Sequence, residues 1–146
     1  MEILFTSNAQ ILGIAGGTHP FPQYFLIDNL PAALSTDDEG VSCSDYTVEW
    51  LYAALEYHLT YEELVELGRF SLQYSFLPGA PLWQDVRAAK IAAQCDNLAP
   101  GASELTEPCH AFLQKSERAA MQWRYEAALA RFNLVYGARF RQYLAQ

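Results

Sequence analysis

The sequence predicts a mixed α/β chain, mostly helical by residue count, with about two parallel strands first and several helices after them. Three observations predict it. Two short β-prone runs, residues 2–6 and 31–34, are separated by a segment with a helical start signal. Strands joined through a helix make a parallel crossover. From Thr47 the apolar spacing changes to the helical period. Two strands are too few for a stable sheet, and a parallel sheet needs both faces covered. The predicted architecture is therefore incomplete, part of something larger.

Taken in order, Glu2-Ile3-Leu4-Phe5-Thr6 reads as a strand and Ser7-Asn8 as its exit. Residues 9–18 hold Gly13, Gly16 and Gly17 and read as a loop. That loop lacks the lysine and hydroxyl residue of a phosphate-binding loop, so its glycines are assigned to tight turns or close backbone approach. Thr18-His19-Pro20 opens a short helix over residues 21–27, closed by Asp28-Asn29. The second strand then runs toward Thr36.

Val48, Leu51, Tyr52, Leu55 and Leu59 fall on one helical face and are predicted to be core. Thr60-Tyr61-Glu62-Glu63 is a capping box for a further helix, with Leu64, Leu67, Ser71 and Tyr74 on one stripe. Leu77-Pro78-Gly79 stops it. Pro81 is placed at the start of a helix over residues 82–94. Residues 96–108 read as a polar loop. A last helix begins near Ser116, with Met121, Tyr125, Ala128, Phe132 and Val135 on its inner face and a break at Gly137. Arg118, Arg124 and Arg131, with Glu117 and Glu126, are assigned to a solvated face of that helix. Trp50, Trp83 and Trp123 are assigned to packing.

Composition narrows the function classes. The chain has 146 residues, half of them hydrophobic, and a formal net charge of −8. That length supports a core of its own. The charge argues against a nucleic-acid phosphate backbone or an anionic membrane as partner. No apolar run approaches bilayer-spanning length, and the start of the sequence, which falls directly on a strand-like run, reads as free of a leader peptide; the expected protein is soluble. Three cysteines without a C-x-x-C pair make a zinc ribbon or thioredoxin-type site a poor fit. Cys95 and Cys109 flank a Pro- and Gly-rich loop and are read equally as a disulfide, formed outside the cytosol, or as two ordinary thiols. Cys43 is expected to be unpaired.

Leu34-Ser35-Thr36-Asp37-Asp38-Glu39-Gly40 is the stretch with chemistry in it. A buried strand ends in adjacent carboxylates, and the C-terminal lip of a parallel sheet is where ligands bind. Two adjacent aspartates repel unless each has its own partner; on extended backbone they point to opposite sides. The competing reading is a solvated acidic turn closed by Gly40.

Ser7-Asn8, His19-Pro20-Phe21-Pro22, Leu34-Ser35-Thr36-Asp37-Asp38-Glu39-Gly40-Val41-Ser42 and Ser75-Phe76-Leu77-Pro78-Gly79 occur in that order. Together they resemble the C-terminal part of zinc-dependent adenosine deaminases, in the bacterial branch near the adenosine-deaminase-related growth factors. The likeness covers residues 2–83 and is weaker at residues 116–123. It implies the last two β/α units of a (β/α)8 TIM barrel over residues 1–80, with a C-terminal helical extension over 81–146. Residues 2–6 would be the seventh strand and 32–36 the eighth. Asp37 would be the catalytic aspartate that binds zinc and holds its water, and Asp38 the substrate-binding aspartate at the purine ring. The implied reaction is hydrolysis of the 6-amino group of adenosine to inosine and ammonia.

The resemblance also implies zinc-ligating histidines in a His-x-His pair and on the fifth strand, followed by a catalytic glutamate. None has a counterpart here. His19, His58 and His110 are scattered, and His19 matches a family position that does not bind metal. Asn29-Leu30-Pro31 and Cys43 also depart from the family's usual residues, which touches fine substrate contacts. One aspartate cannot hold a catalytic zinc. The expectation is a chain that binds no zinc and deaminates nothing alone, and that needs the N-terminal barrel half as partner or self-associates. A non-catalytic helical interaction module is the alternative. A periplasmic or secreted parent is compatible with Cys95 and Cys109.

Overall fold

β1 (Glu2–Ile3) lies parallel to β2 (Ala33–Leu34), with Glu2 opposite Ala33 and Ile3 opposite Leu34. This computed structural model describes residues 1–144, in two compact units, Met1–Ser71 and a second from Leu72 onward. Each unit carries one two-stranded sheet, and the chain is a mixed α/β protein rich in helix.

The first strand is shorter than predicted. Residue 5 already begins a helix, α1 (Phe5–Ser7), which continues as a π-helical turn, Asn8–Leu12, where a loop was expected. The cause lies far along the chain. The Glu49 carboxylate accepts the backbone N–H groups of Phe5 (2.7 Å) and Thr6 (3.0 Å), donors that a helix start leaves without an intrahelical acceptor. Gly13 closes the turn at φ 65°, and Gly16, at φ 54°, lies so close to the Glu56 carboxylate that a Cβ would sit 2.8 Å from its Oε1. Both expectations for these glycines, a tight turn and close approach, hold.

Residues 21–27 are helical as predicted, ending in the π-helical turn Gln23–Ile27 with Asp28 as its cap. α2 (Glu39–Ser42) is a single turn after the acidic pair, and α3 (Tyr46–Leu51) follows, capped by the Asp45 carboxylate on the Val48 N–H. α3 runs into a further π-helical turn, Tyr52–Glu56. Here the predicted core face is wrong. Leu51 and Leu55 are 50% and 68% exposed, whereas Glu49 and Ala53 are fully buried; of the predicted stripe only Leu59 is buried. Glu49 turns inward to reach the amides of Phe5 and Thr6, which carries Ala53, one turn on, inward with it. The wider π turn then breaks the 3.6-residue period on which the prediction relied. Val48, Leu51, Tyr52, Leu55 and Glu56 instead line a shallow, open cavity of about 200 Å³.

The core of the first unit is aromatic. Phe5 stacks on Tyr57 (centroids 4.9 Å) and meets Phe21 edge-on (5.1 Å), while Phe21 stacks on Phe25 (5.3 Å). Such pairs add to the burial of their area. α4 (Tyr61–Gln73) starts at the predicted capping box, with the Thr60 N–H on Glu63 Oε2 (2.7 Å) and the Glu63 N–H on Thr60 Oγ1 (3.2 Å). It buries Leu67 as predicted, but Tyr74 is exposed and Phe70 is buried instead.

In the second unit the helix predicted over residues 82–94 is a hairpin. β3 (Trp83–Asp85) pairs antiparallel with β4 (Lys90–Ile91). The Asp85 carboxylate accepts the N–H groups of Arg87 and Ala88, both at 2.9 Å, and so folds a turn in place of a helix. Gln122 Oε1 takes the Leu82 N–H at 2.7 Å, and Trp83 is buried. α5 (Glu107–Lys115) was not foreseen; Pro108 sits in its first turn rather than in a loop.

α6 (Glu117–Leu144) passes through Gly137 without the predicted break; the last two residues, 145 and 146, lie outside the described residues. Its buried face is Ala119, Gln122, Trp123 and Glu126, while Phe132 and Val135 are about half exposed. Polar anchors set that face. Gln122 Nε2 donates to Gln73 Oε1 (2.9 Å) and Trp123 Nε1 to the Ala102 carbonyl (3.1 Å). Arg118 is not on a solvated face: its guanidinium donates to the carbonyls of Leu77 (2.8 Å) and Gln73 (3.4 Å). Cys95 and Cys109 form a disulfide between buried positions, and Cys43 is free and exposed.

Candidate functional site

Because β1 and β2 are parallel, the residues just after them leave the sheet at the same, C-terminal, end. Ser7 follows β1 and Asp37 follows β2, and there they meet: Ser7 Oγ donates to Asp37 Oδ2 at 2.7 Å. A hydroxyl-to-carboxylate bond of this length is of the stronger, charge-assisted kind.

Asp37 reaches this position through unusual backbone. Its φ is +57°, a left-handed conformation that aspartate tolerates better than most residues. The Glu39 N–H closes on the Asp37 carbonyl (2.9 Å) and the Val41 N–H on that of Asp38 (2.9 Å), so the acidic pair is wound into a tight turn leading to α2. Both carboxylate residues are solvent-exposed at the rim, while Ser7 behind them is buried. Asp37 and Asp38 thus stand just beyond the end of β2.

His19 is buried, and its ring nitrogens are both engaged. Nδ1 accepts the Phe21 N–H (3.1 Å), and Nε2 lies 2.9 Å from the Asn8 carboxamide. A neutral imidazole has one acceptor nitrogen. With Nδ1 accepting, Nε2 must carry the proton, and the Asn8 carboxamide must turn its oxygen toward it. Burial lowers the His19 pKa below the usual 6.5, and the nearby Glu49 charge partly opposes this. His19 is therefore a neutral ring that fixes Asn8, next to Ser7. His58 and His110 are exposed.

Two residues of the site escaped the sequence reading. Ser7 was part of a recognised motif but carried no assigned role. Glu49 was passed over in an apolar helix face, although an acid between Val48 and Trp50 is itself a signal. Beside them, Thr6 Oγ1 is buried without a hydrogen-bond partner. Among the described residues, no three His, Cys, Asp or Glu side chains converge as a metal would need. No helix among the described residues is long and apolar enough to cross a membrane.

No family model matches the chain and no solved structure does. A curated protein, N6-methyl-AMP deaminase of Danio rerio, is 32% identical over 78 residues, which is 53% of this chain and 22% of that protein. The similarity thus reaches about half of this chain but far less than two thirds of the relative. It supports a deaminase-related origin for the chain.

Proposed function

We propose that this chain is the C-terminal portion of a zinc-dependent deaminase built on a (β/α)8 barrel, acting on the 6-amino or 6-methylamino group of an adenine nucleoside or nucleotide. The observation that carries this reading is the Ser7–Asp37 hydrogen bond at the C-terminal end of two parallel strands. Barrel enzymes put their chemistry at that end of the sheet. The similarity to a protein named N6-methyl-AMP deaminase supports the substrate class.

In this reading Asp37 gives one carboxylate to a zinc whose histidine ligands come from another segment of barrel. Asp38 binds the purine, and residues 81–146 form an extension beyond the barrel. Ser7 orients Asp37, and Asn8 is fixed beside it by His19. Thr6 Oγ1, buried and unpartnered, supports a site that another group completes, since an unmet buried hydroxyl costs about 1–3 kcal/mol. The disulfide supports maturation in an oxidising compartment such as the periplasm or outside the cell.

The chain alone is inactive in this reading. Mixed with a polypeptide that carries a His-x-His pair and a later His-x-x-Glu, it retains zinc and releases ammonia from adenosine, AMP or N6-methyl-AMP (methylamine from the last). Asp37→Asn in the mixture lowers turnover at least about a thousandfold, the loss of roughly 4 kcal/mol of transition-state stabilisation. A folded mixture that holds no zinc and leaves all three substrates untouched refutes the reading.

A further inference from the structure

Glu49 is a fully buried carboxylate with no role in the reaction just proposed. Burying a charged group is costly unless its oxygens are met. Here each oxygen has a backbone partner: Oε2 accepts the Phe5 N–H at 2.7 Å and Oε1 the Thr6 N–H at 3.0 Å. Those two amides open α1, whose own N-cap residue, Leu4, provides no side-chain acceptor. An acid from α3, 44 residues away, does the capping instead.

The consequence falls on the next residue. Strand β1 ends at Ile3, and the chain must turn at once for Ser7 to face Asp37. Continued in extended form, successive side chains would alternate between the two faces of the sheet, and Ser7 would be carried a further strand rise with every residue. Winding residues 5–7 into a helical turn holds Ser7 back at the end of the sheet, where Oγ lies 2.7 Å from Asp37 Oδ2.

We propose that Glu49 is the positioning residue of the Ser7–Asp37 pair, because its two bonds to the Phe5 and Thr6 amides set the turn that aims the Ser7 hydroxyl at the Asp37 carboxylate. The functional weight of that pair rests on the deaminase reading; the positioning itself does not.

The test compares Glu49→Gln with Ser7→Ala in the full chain, by amide hydrogen exchange and by crystal structures of both variants. Gln keeps the size of Glu but turns one acceptor into a donor, so one amide loses its partner. Exchange at Phe5 or Thr6 is expected to rise about tenfold or more, while α4 amides keep their protection. The Ser7 Oγ to Asp37 Oδ2 bond is expected to be lost. Ser7→Ala is expected to free Asp37 and leave the Phe5 and Thr6 amides as protected as before. Glu49→Asp, with a shorter carboxylate, is expected to restore part of the protection that Gln loses.

A merely structural role would lower stability in Glu49→Gln and leave the Ser7–Asp37 bond in place, which would overturn the proposal. A loss of Phe5 and Thr6 protection of about tenfold or more in Ser7→Ala would overturn it too, since the turn would then hang on the Ser7–Asp37 bond, and that measurement stands if Glu49→Gln fails to fold. None of these readouts uses zinc or nucleoside. Failure of the zinc-restoring mixture alongside the expected exchange pattern would therefore remove the deaminase reading and support the positioning role.

Discussion

In the first unit a buried carboxylate, Glu49, reaches across 44 residues to two backbone amides; in the second a buried carboxamide, Gln122, reaches across 40 to one. Both anchor a segment whose backbone would otherwise bury unmet donors. Their chemistry differs. Gln122 accepts from Leu82 and donates to Gln73, so it is satisfied without charge, and the unit around it is also tied by the Cys95–Cys109 disulfide. The Glu49 carboxylate accepts from both amides, in a unit with an aromatic core. The second unit is thus sensitive to redox state and the first, through its buried His19, to protons.

The largest expected effect breaks the second unit. The disulfide joins residues 14 apart, and a loop of that size restricts the unfolded chain by about 3 kcal/mol. Cys109→Ser, or reduction of the wild-type chain, is expected to cost about that much. Reduction also leaves two buried thiols without their partner, and Cys109→Ser leaves one buried thiol beside a buried hydroxyl. Urea melting followed by amide exchange checks it: residues of the hairpin and α5 should lose protection, while those of β1, β2 and α3 keep theirs. Equal loss in both units would mean that they melt as one, and the contrast would fail.

The middle effect belongs to the first unit and comes from His19. Its pKa is lowered in the folded chain, chiefly by burial. The unfolded chain therefore binds the proton more readily, so this contribution is intact above about pH 6.5 and is lost as pH falls through the lowered folded value. Protonation would also place a hydrogen on Nδ1, where the Phe21 N–H now donates. The expected result is a first unit that weakens from pH 7 toward pH 5. His19→Asn, which keeps an acceptor for the Phe21 amide but does not titrate, should flatten part of that slope. An unchanged slope in His19→Asn would assign the acid sensitivity elsewhere.

What could be read from the sequence divides along a physical line. The parallel pair, the strand-end placement of Asp37 and Asp38, the helix over residues 21–27 and the start of α4 follow from local chemistry: β-prone runs, a proline start, a capping box. The faces of α3 and α6 did not, because long-range polar bonds chose them. Glu49 and Gln122 each turned inward a side that apolar counting assigned to solvent, and Leu51, Leu55, Phe132 and Val135 came out exposed. The hairpin over Trp83–Ile91 was hidden for a similar reason. Pro81 is a fair helix start, but the Asp85 carboxylate folds the following backbone into a turn, and that competition is not visible in spacing. Ser7 and Glu49 were missed as site residues because their importance lies in which strand end they meet.

The smallest effect sharpens the contrast at its most local point, the start of α4. Thr60 is exposed, and its hydroxyl accepts the Glu63 N–H at 3.2 Å, while Glu63 Oε2 accepts the Thr60 N–H at 2.7 Å. Thr60→Ala removes the first of these and leaves the second, since the Thr60 amide belongs to the backbone. Water can reach the Glu63 N–H in place of the lost hydroxyl, so no buried donor is orphaned. The cost is expected near 1 kcal/mol, within the usual range for losing a threonine cap. Adding Glu63→Ala removes the reciprocal bond and should raise the cost by a further few tenths to 1 kcal/mol, read as a shift of the urea midpoint at unchanged slope. If Thr60→Ala alone cost more than about 2 kcal/mol, the box would be holding more than the first turn of α4, and the first unit would depend on a surface cap as heavily as on its buried carboxylate.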